Sequence, residues 1–427
     1  MSQTSENLNP SIDFAFVSDI GMRRLNNQDS HLELVQETTE VWRSRGHLFV
    51  VADGMGAHAA GELASKMAVE GVSHHYCQHR QLSPPEAILK AVREANSEIH
   101  QRGQANSEFH NMGTTCSSLL LLPQGALVAH VGDSRVYRLR GTRFQQLTFD
   151  HSLVWEMQAT GQIEDTDAAI NIPKNVITRS LGPQAQVQVD LEGPFVIQLG
   201  DTFMLCSDGL TGKIRDDELG LILGLLPPNE ATAFCADLAN LRGGPDNITM
   251  TVAKVVGDEM TGRHRRCEPL TVGAELTPER HVHVGVWVLM AVSWIVAAGL
   301  VVSTFYWLAL AAFLVGAVAI PVAIWQSHGG SGGIALVGGR RLGRGPYVTL
   351  DCPVTAEQME RLYDGVRGNF RQYGDTLVVD RSRLAACLTE ARTRSAQGEH
   401  REGIRMLAVA VSVVANALKA SRDSSSR

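Results

Sequence analysis

Five aspartates in this 427-residue chain share one kind of address. Asp29 in "RRLNNQDS", Asp53 in "VVADGMG", Asp133 in "AHVGDSR", Asp208 in "MLCSDGL" and Asp246 in "GGPDNIT" each sit beside glycine or a small polar residue, most of them where an apolar run ends. One Asp-Gly pair is ordinary turn chemistry. Five such carboxylates predict a place where several loops converge. Crowded carboxylates repel one another and take up protons unless a cation neutralises them, and hard divalent ions such as Mg2+ and Mn2+ take oxygen ligands. The small residues after Asp53 let a ligand approach the backbone. Arg24 lies close to Asp29, and a guanidinium beside such a site suits a phosphate, which it grips with two parallel hydrogen bonds. The other reading of Arg24 is a surface ion pair. His58, His130 and His151 read as structural groups, because an all-oxygen site needs neither histidine nor cysteine. Cys206 reads as a small buried apolar residue.

The segments that must carry these residues alternate irregularly. Strand-like runs are "IDFAFVSD", "HLFVVADG", "TTCSSLLLLP", "ALVAHVGD", "RVYRLR", "DTFMLCSDG" and "NITMTVAKVV". Helix-like runs come in consecutive pairs: "GELASKMAVEGVSHHY" with "SPPEAILKAVREANSEIHQRG", then "DDELGLILGLL" with "NEATAFCADLANL". Strands that do not alternate strictly with helices argue against a doubly wound parallel sheet and for packed sheets with helices outside. This α+β domain is expected over residues 11–256.

Composition bounds the rest. A net charge of −7 with scattered basic residues excludes a nucleic-acid binder. Seven cysteines without a CxxC pair predict reduced thiols in a cytosolic setting rather than disulfides or zinc. The N-terminus lacks a signal-peptide pattern. Between Arg280 and Arg340 there is no Asp, Glu, Lys or Arg, and 284–325 is almost wholly apolar. As one helix, about 42 residues would span roughly 63 Å, about twice a bilayer's hydrocarbon core. Two transmembrane helices, about 284–302 and 305–325, fit better, with Trp287 and Trp325 toward the ends. Arginines on both flanks (Arg263, Arg265, Arg266, Arg280; Arg340, Arg341, Arg344) place both ends on the cytoplasmic side. Residues 257–283 and 326–346 read as linkers. A small all-α domain is expected over 347–421, opened by the capping pair Thr355 and Gln358, with Met359, Leu362, Val366 and Phe370 on one helical face. Two further helices, about 382–397 and 400–420, break at Gly398.

The motifs "SDIGMRRLNNQDS", "VVADGMGAHAAGE", "MGTT", "HVGDSRVYRLR", "LTFDHS", "ITRSLG", "LCSDGL" and "PDNITMTV" stand in that order. Over Ser11 to Val256 the chain thereby resembles bacterial members of the metal-dependent serine/threonine protein phosphatases, the type-2C class. The resemblance implies a two-sheet β-sandwich flanked by helices (α-β-β-α) with a Mg2+ or Mn2+ centre of two or three ions at one end. By it, Asp53 bridges two metals, the Gly54 carbonyl holds the second, and Asp208 and Asp246 complete the first. Asp29 contacts the second metal directly or through water, and Asp133 with Asp208 corresponds to a third. Arg24 corresponds to the phosphate-binding arginine, and Gln28 and Asn247 stand behind the ligands. A metal-activated water would attack phosphoserine or phosphothreonine without a phosphoenzyme.

Three positions depart from the family pattern. Gln28 stands where many members have glutamate, Met55 where animal relatives carry a histidine proposed as general acid, and Ala57 where glycine is usual. None removes an aspartate of the set. The segment Ile163–Pro173 resembles the family's variable flap. The expected protein is thus a phosphatase at the cytoplasmic face of a bacterial inner membrane, acting on targets of a serine/threonine kinase. The alternatives are a pseudophosphatase that binds metal as a membrane signalling scaffold, and an enzyme for small phosphate esters.

Overall fold

The computed structural model describes residues 11–56, 59–159, 176–261, 270–272, 284–327, 334–336, 342–343, 345, 347–373 and 380–425. Ala57, His58, the expected flap at Ile163–Pro173, Cys267 and the arginines flanking the apolar segment lie outside these residues. In chain order come β1 (Ile12–Asp19), β2 (Asp29–Leu34), α1 (Thr39–Arg45), β3 (His47–Met55), α2 (Ala60–Gln78) and α3 (Pro84–Ala105). Next are β4 (Gly113–Thr114), β5 (Cys116–Leu122), β6 (Gly125–Val131), β7 (Arg135–Arg140), β8 (Arg143–Gln146), α4 (Leu153–Ala159) and β9 (Asp190–Phe195). Then follow β10 (Thr202–Cys206), α5 (Asp208–Thr211), α6 (Asp216–Leu225), α7 (Pro228–Leu241), β11 (Ile248–Val255) and β12 (Leu270–Val272). The remainder is α8 (Val284–Val302), α9 (Tyr306–Ser327), β13 (Ile334–Leu336), β14 (Thr349–Asp351), α10 (Ala356–Tyr373), α11 (Arg381–Ala396) and α12 (His400–Ser425).

Two antiparallel sheets form the sandwich. One runs β1-β11-β10-β7-β8-β14; the other runs β2-β3-β5-β6-β9, with β4 paired to β3. The strands alternate as a two-sided burial requires. On β10, Phe203 and Leu205 join the core shared with Phe49 and Val51 of β3 and Leu119 and Leu121 of β5. Met204 and Cys206, the other parity, join the apolar layer built with α6 and α7. The opposite sheet is covered by α2, which packs on α3. Proline at the first turn of α3 costs nothing there, since those amides lack helical partners in any case.

The C-terminal helices pack on this same body: the described residues of Met1–Leu270 and Val337–Arg427 form one compact unit. β14 extends the first sheet, with Thr349 opposite Gln145 and Asp351 opposite Arg143. Ile404, Leu407, Val411, Val414 and Leu418 recur at helical spacing along α12 and are buried in the layer that holds Phe234 and Leu238 of α7. Met359, Leu362 and Val366 of α10 enter the same layer, and Phe370 packs at its margin. Gln358 N donates to Thr355 Oγ1 at 3.2 Å, one half of the capping pair. Gly398, with φ of +84°, makes the break before α12.

The described residues of Thr271–Leu336 form a second unit. Within it α8 and α9 lie against each other, with Trp294 and Phe313 stacked at a centroid separation of 6.0 Å. The turn between them falls at 303–305, where Thr304 takes a φ of +69°. Large apolar side chains such as Ile295, Val302, Trp307 and Phe313 are exposed on this hairpin. Among the described residues, the one helical stretch long and apolar enough to cross a membrane is His400–Arg422, in α12, while Trp287–Val302 and Tyr306–Ala317 are shorter. The buried stripe of α12 accounts for its hydropathy as that of a core helix.

Candidate metal centre

The apolar run of β3 is fully buried from Leu48 to Ala52, and Asp53 follows where the strand reaches the end of the sandwich. In the β2–β3 ladder Asp29 stands directly opposite Asp53. Asp208 opens α5 immediately after β10, and Asp246 precedes β11. Asp133 lies in the turn between β6 and β7, which belong to different sheets. All five aspartates therefore meet at one end, Asp29 and Asp53 on paired strands and the others on the connections beside β6, β10 and β11.

Two glycines make this convergence possible. A Cβ on Gly54 would lie 2.0 Å from the Gly61 carbonyl oxygen and 2.5 Å from that of Gln28. One on Gly209 would lie 1.9 Å from the Asn247 carbonyl oxygen. The glycines after Asp53 and Asp208 are thus demanded by neighbouring backbone, in addition to any ligand.

Hydrogen bonds then fix individual groups. Ser207 Oγ donates to Asp29 Oδ2 at 2.7 Å and accepts from Thr249 N at 3.0 Å. Asp53 N donates to Thr115 Oγ1 at 2.8 Å, and Thr115 N returns a bond to the Asp53 carbonyl at 2.9 Å. Asn247 Oδ1 accepts from Gln28 N at 2.8 Å, while its Nδ2 reaches the carbonyls of Ile20 and Asn26. Gln28 Nε2 donates to the Gly56 carbonyl at 3.2 Å. Asn247 is therefore a tie between the Asp246 loop and the segment leading to Asp29. Arg24 donates to Asp246 Oδ2 at 2.7 Å, and Asn247 N donates to Asp246 Oδ1 at 2.9 Å.

The electrostatics record the crowding. Burial pushes the Asp29 carboxyl up to about 7, with Asp208 and Asp246 adding to it against the hydroxyl bonds of Ser207 and Thr249. Burial likewise takes Asp133 to about 7, helped by Asp208. Asp53 is raised well above the carboxylate range by burial and then by Asp29, Asp208, Asp133 and Asp246. Asp208 is raised by burial first and by Asp246 next. Arg24 is raised by its hydrogen bond to Asp246 and also feels Asp53 and Asp208. Four carboxyls pushed toward protonation form a site that gains from a cation.

The donor set fits a hard divalent ion. Asp29 Oδ1 and Asp133 Oδ1 are buried and have no hydrogen-bond partner, which leaves two oxygens available as ligands. Among the described residues no trio of histidine, cysteine or carboxylate side chains is drawn tightly enough together to hold an ion unaided. The two oxygens of Asp246 are occupied by Arg24 and by its neighbour's amide. An ion of the Mg2+ type keeps several waters and needs few carboxylates at once.

Residues outside the acidic set take structural places. His130 and His151 are buried. Gly132 N donates to His151 Nδ1 at 3.0 Å, so the proton sits on Nε2 and is shared with Asp190 at 3.1 Å. Arg179 also binds Asp190, at 2.7 Å. Cys206 is fully buried, and burial raises its thiol beyond reactivity at neutral pH. Sequence reasoning missed Ser207 and Thr115 as supports. Both lie in the quoted motifs "LCSDGL" and "MGTT", but neither motif contains the aspartate that its hydroxyl serves, Asp29 for Ser207 and Asp53 for Thr115.

Several known proteins are similar to this chain. The family model described as Protein phosphatase 2C matches residues 22–240. Protein phosphatase PhpP of Streptococcus pneumoniae is 35% identical over 248 residues, covering 57% of this chain and 98% of PhpP. The serine/threonine phosphatase Stp of Listeria monocytogenes is 38% identical over 214 residues, covering 48% of this chain and 84% of Stp. Among solved structures, the Mycobacterium tuberculosis serine/threonine phosphatase PstP/Ppp superposes with a TM-score of 0.51 at 31% identity, over 58% of this chain and 99% of that one.

Proposed function

We propose, for a serine/threonine protein phosphatase that belongs to the protein phosphatase 2C family, that the five-aspartate end of the sandwich holds two or three Mg2+ or Mn2+ ions and hydrolyses phosphoserine and phosphothreonine esters in proteins. The observation that carries this reading is the convergence of mutually repelling carboxyls with the partnerless buried oxygens of Asp29 and Asp133. Asp53, with the Gly54 carbonyl, Asp208 and Asp246 would hold the ions, Asp29 would support the second, and Asp133 with Asp208 a third. When bound, such ions make water a competent nucleophile near neutral pH and offset charge on the phosphoryl oxygens.

The chain's own groups divide the remaining work. Arg24 leaves Asp246 to donate to the phosphate, which frees the Asp246 carboxylate for the ion. Ser207 holds Asp29, and Thr115 holds the backbone of Asp53. Gln28 and Asn247 keep the Asp29 and Asp246 loops in register. Met55 brings no proton to the leaving oxygen, so that proton comes from water or from another group. The substrates are proteins phosphorylated by a serine/threonine kinase.

We also assign the apolar hairpin to a bilayer, with residues 11–256 and 347–421 in the cytoplasm of a bacterium. The exposed apolar side chains of α8 and α9 support this assignment.

The test of the activity is hydrolysis of a phosphothreonine peptide by the purified full chain. Release of phosphate is expected with Mn2+ or Mg2+, with none in chelator and with a collapse in Asp53→Asn. Equal rates with and without chelator would refute the reading.

A further inference from the structure

The segment that presents Arg24 is held from outside the matched family region. Asp19, the last residue of β1, accepts from Gly21 N at 2.9 Å and from Asn240 Nδ2 of α7 at 3.1 Å through Oδ1. Its Oδ2 accepts from Lys419 Nζ of α12 at 2.8 Å, and the same ammonium lies 3.5 Å from Asp237. One turn further along α12, Arg422 donates to the Gly21 carbonyl. Gly21 itself has a φ of +78°, and a Cβ there would meet the Asp246 carbonyl oxygen at 2.1 Å. Met22 N then donates to the Gly244 carbonyl at 2.7 Å. The 19–24 segment is thus clamped between α12 on one side and the Asp246 loop on the other. Arg24, at its end, reaches Asp246.

α12 is rigid enough to act as a brace. Its apolar stripe is buried, Arg405 binds both oxygens of Glu230 at 2.7 and 2.9 Å, and Arg401 donates to the Leu225 carbonyl at 3.0 Å. The helix lies beyond the residues 22–240 matched by the family model. PhpP is used up to 98% of its length while only 57% of this chain is covered, so the brace belongs to what this chain adds.

We propose that Lys419 is a positioning residue for the phosphate site. Through Asp19, and with Arg422 on Gly21, it sets where Arg24 can reach, so the C-terminal helices tune substrate affinity. The inference rests on the reading of Arg24 as the phosphate-binding group.

The experiment uses the full chain with saturating Mn2+, p-nitrophenyl phosphate as substrate and inorganic phosphate as competitive inhibitor. Lys419→Met is expected to raise KM and the phosphate inhibition constant together by about 3- to 10-fold, with kcat within about 2-fold of the parent. Lys419→Arg restores both. Adding Lys419→Met to Arg24→Ala is expected to change KM no further. An unchanged KM in Lys419→Met, while Arg24→Ala raises it, overturns the brace and leaves the phosphate reading intact. An unchanged KM in Arg24→Ala overturns that reading and the brace with it. If Lys419→Met is not recovered folded, Arg422→Gln removes the second tie and is read the same way.

Discussion

Asp53 shows how a single position serves both folding and chemistry. It follows the buried apolar run of β3, faces Asp29 across the ladder, and engages Thr115 through both its N–H and its carbonyl. The aspartates are legible in the sequence because each is carried by a short motif at a strand end. Their supports are not, since Ser207 and Asp29 lie 178 positions apart and only the fold joins them. Arg24 is also only half legible: its proximity to the acidic set and an ion pair are both readable, but not that the partner is Asp246. Ser207→Ala removes the hydroxyl that donates to Asp29 Oδ2. The concentration of Mn2+ giving half-maximal activity should rise by about 10- to 100-fold, the usual effect of losing a group that orients a metal ligand. An activation constant equal to the parent's would show that Ser207 does not hold Asp29 for an ion.

At the level of elements, β3 and β10 are readable as apolar strand-like runs, and the pairs α2–α3 and α6–α7 as consecutive helix-like runs. β9, "DLEGPF", was not, because Gly193-Pro194 in its middle carries breaker chemistry while its pairing to β6 is supplied by tertiary contact. β14 was missed because it is three residues long, all of them exposed, and joins the sheet only by pairing with β8. The first residue of β3 adds a testable feature. His47 accepts from Gln36 N at 3.0 Å and stacks on Trp42, and burial lowers its pKa to about 4 from an ordinary 6.5. The unfolded chain therefore takes up this proton first as pH falls below about 6.5. Stability is lost on acidification down to about pH 4, by at most about 1.4 kcal/mol per pH unit. His47→Gln keeps an acceptor without the titration. Urea midpoints between pH 7 and 4.5 should fall less steeply in the variant than in the parent, and parallel profiles would contradict the assignment.

For the whole molecule, a phosphatase domain like those of its relatives carries an added set of helices, one of them braced on the segment that presents Arg24. The apolar hairpin makes a separate prediction. The full chain expressed in a bacterium should stay with the membrane pellet through alkaline carbonate, and a variant lacking 284–327 should be released. A full chain extracted by carbonate would contradict the bilayer assignment. Phosphatase activity in this chain requires that the aspartate cluster bind catalytic ions. The most direct measurement is a calorimetric titration of Mn2+ into the metal-stripped full chain and into its Asp53→Asn variant, each with its phosphatase rate measured on the same sample. Saturable binding in the parent that rises together with activity, with both lost in the variant, is the predicted result. A variant that binds Mn2+ as tightly as the parent, or a parent that turns over without binding any, would contradict it.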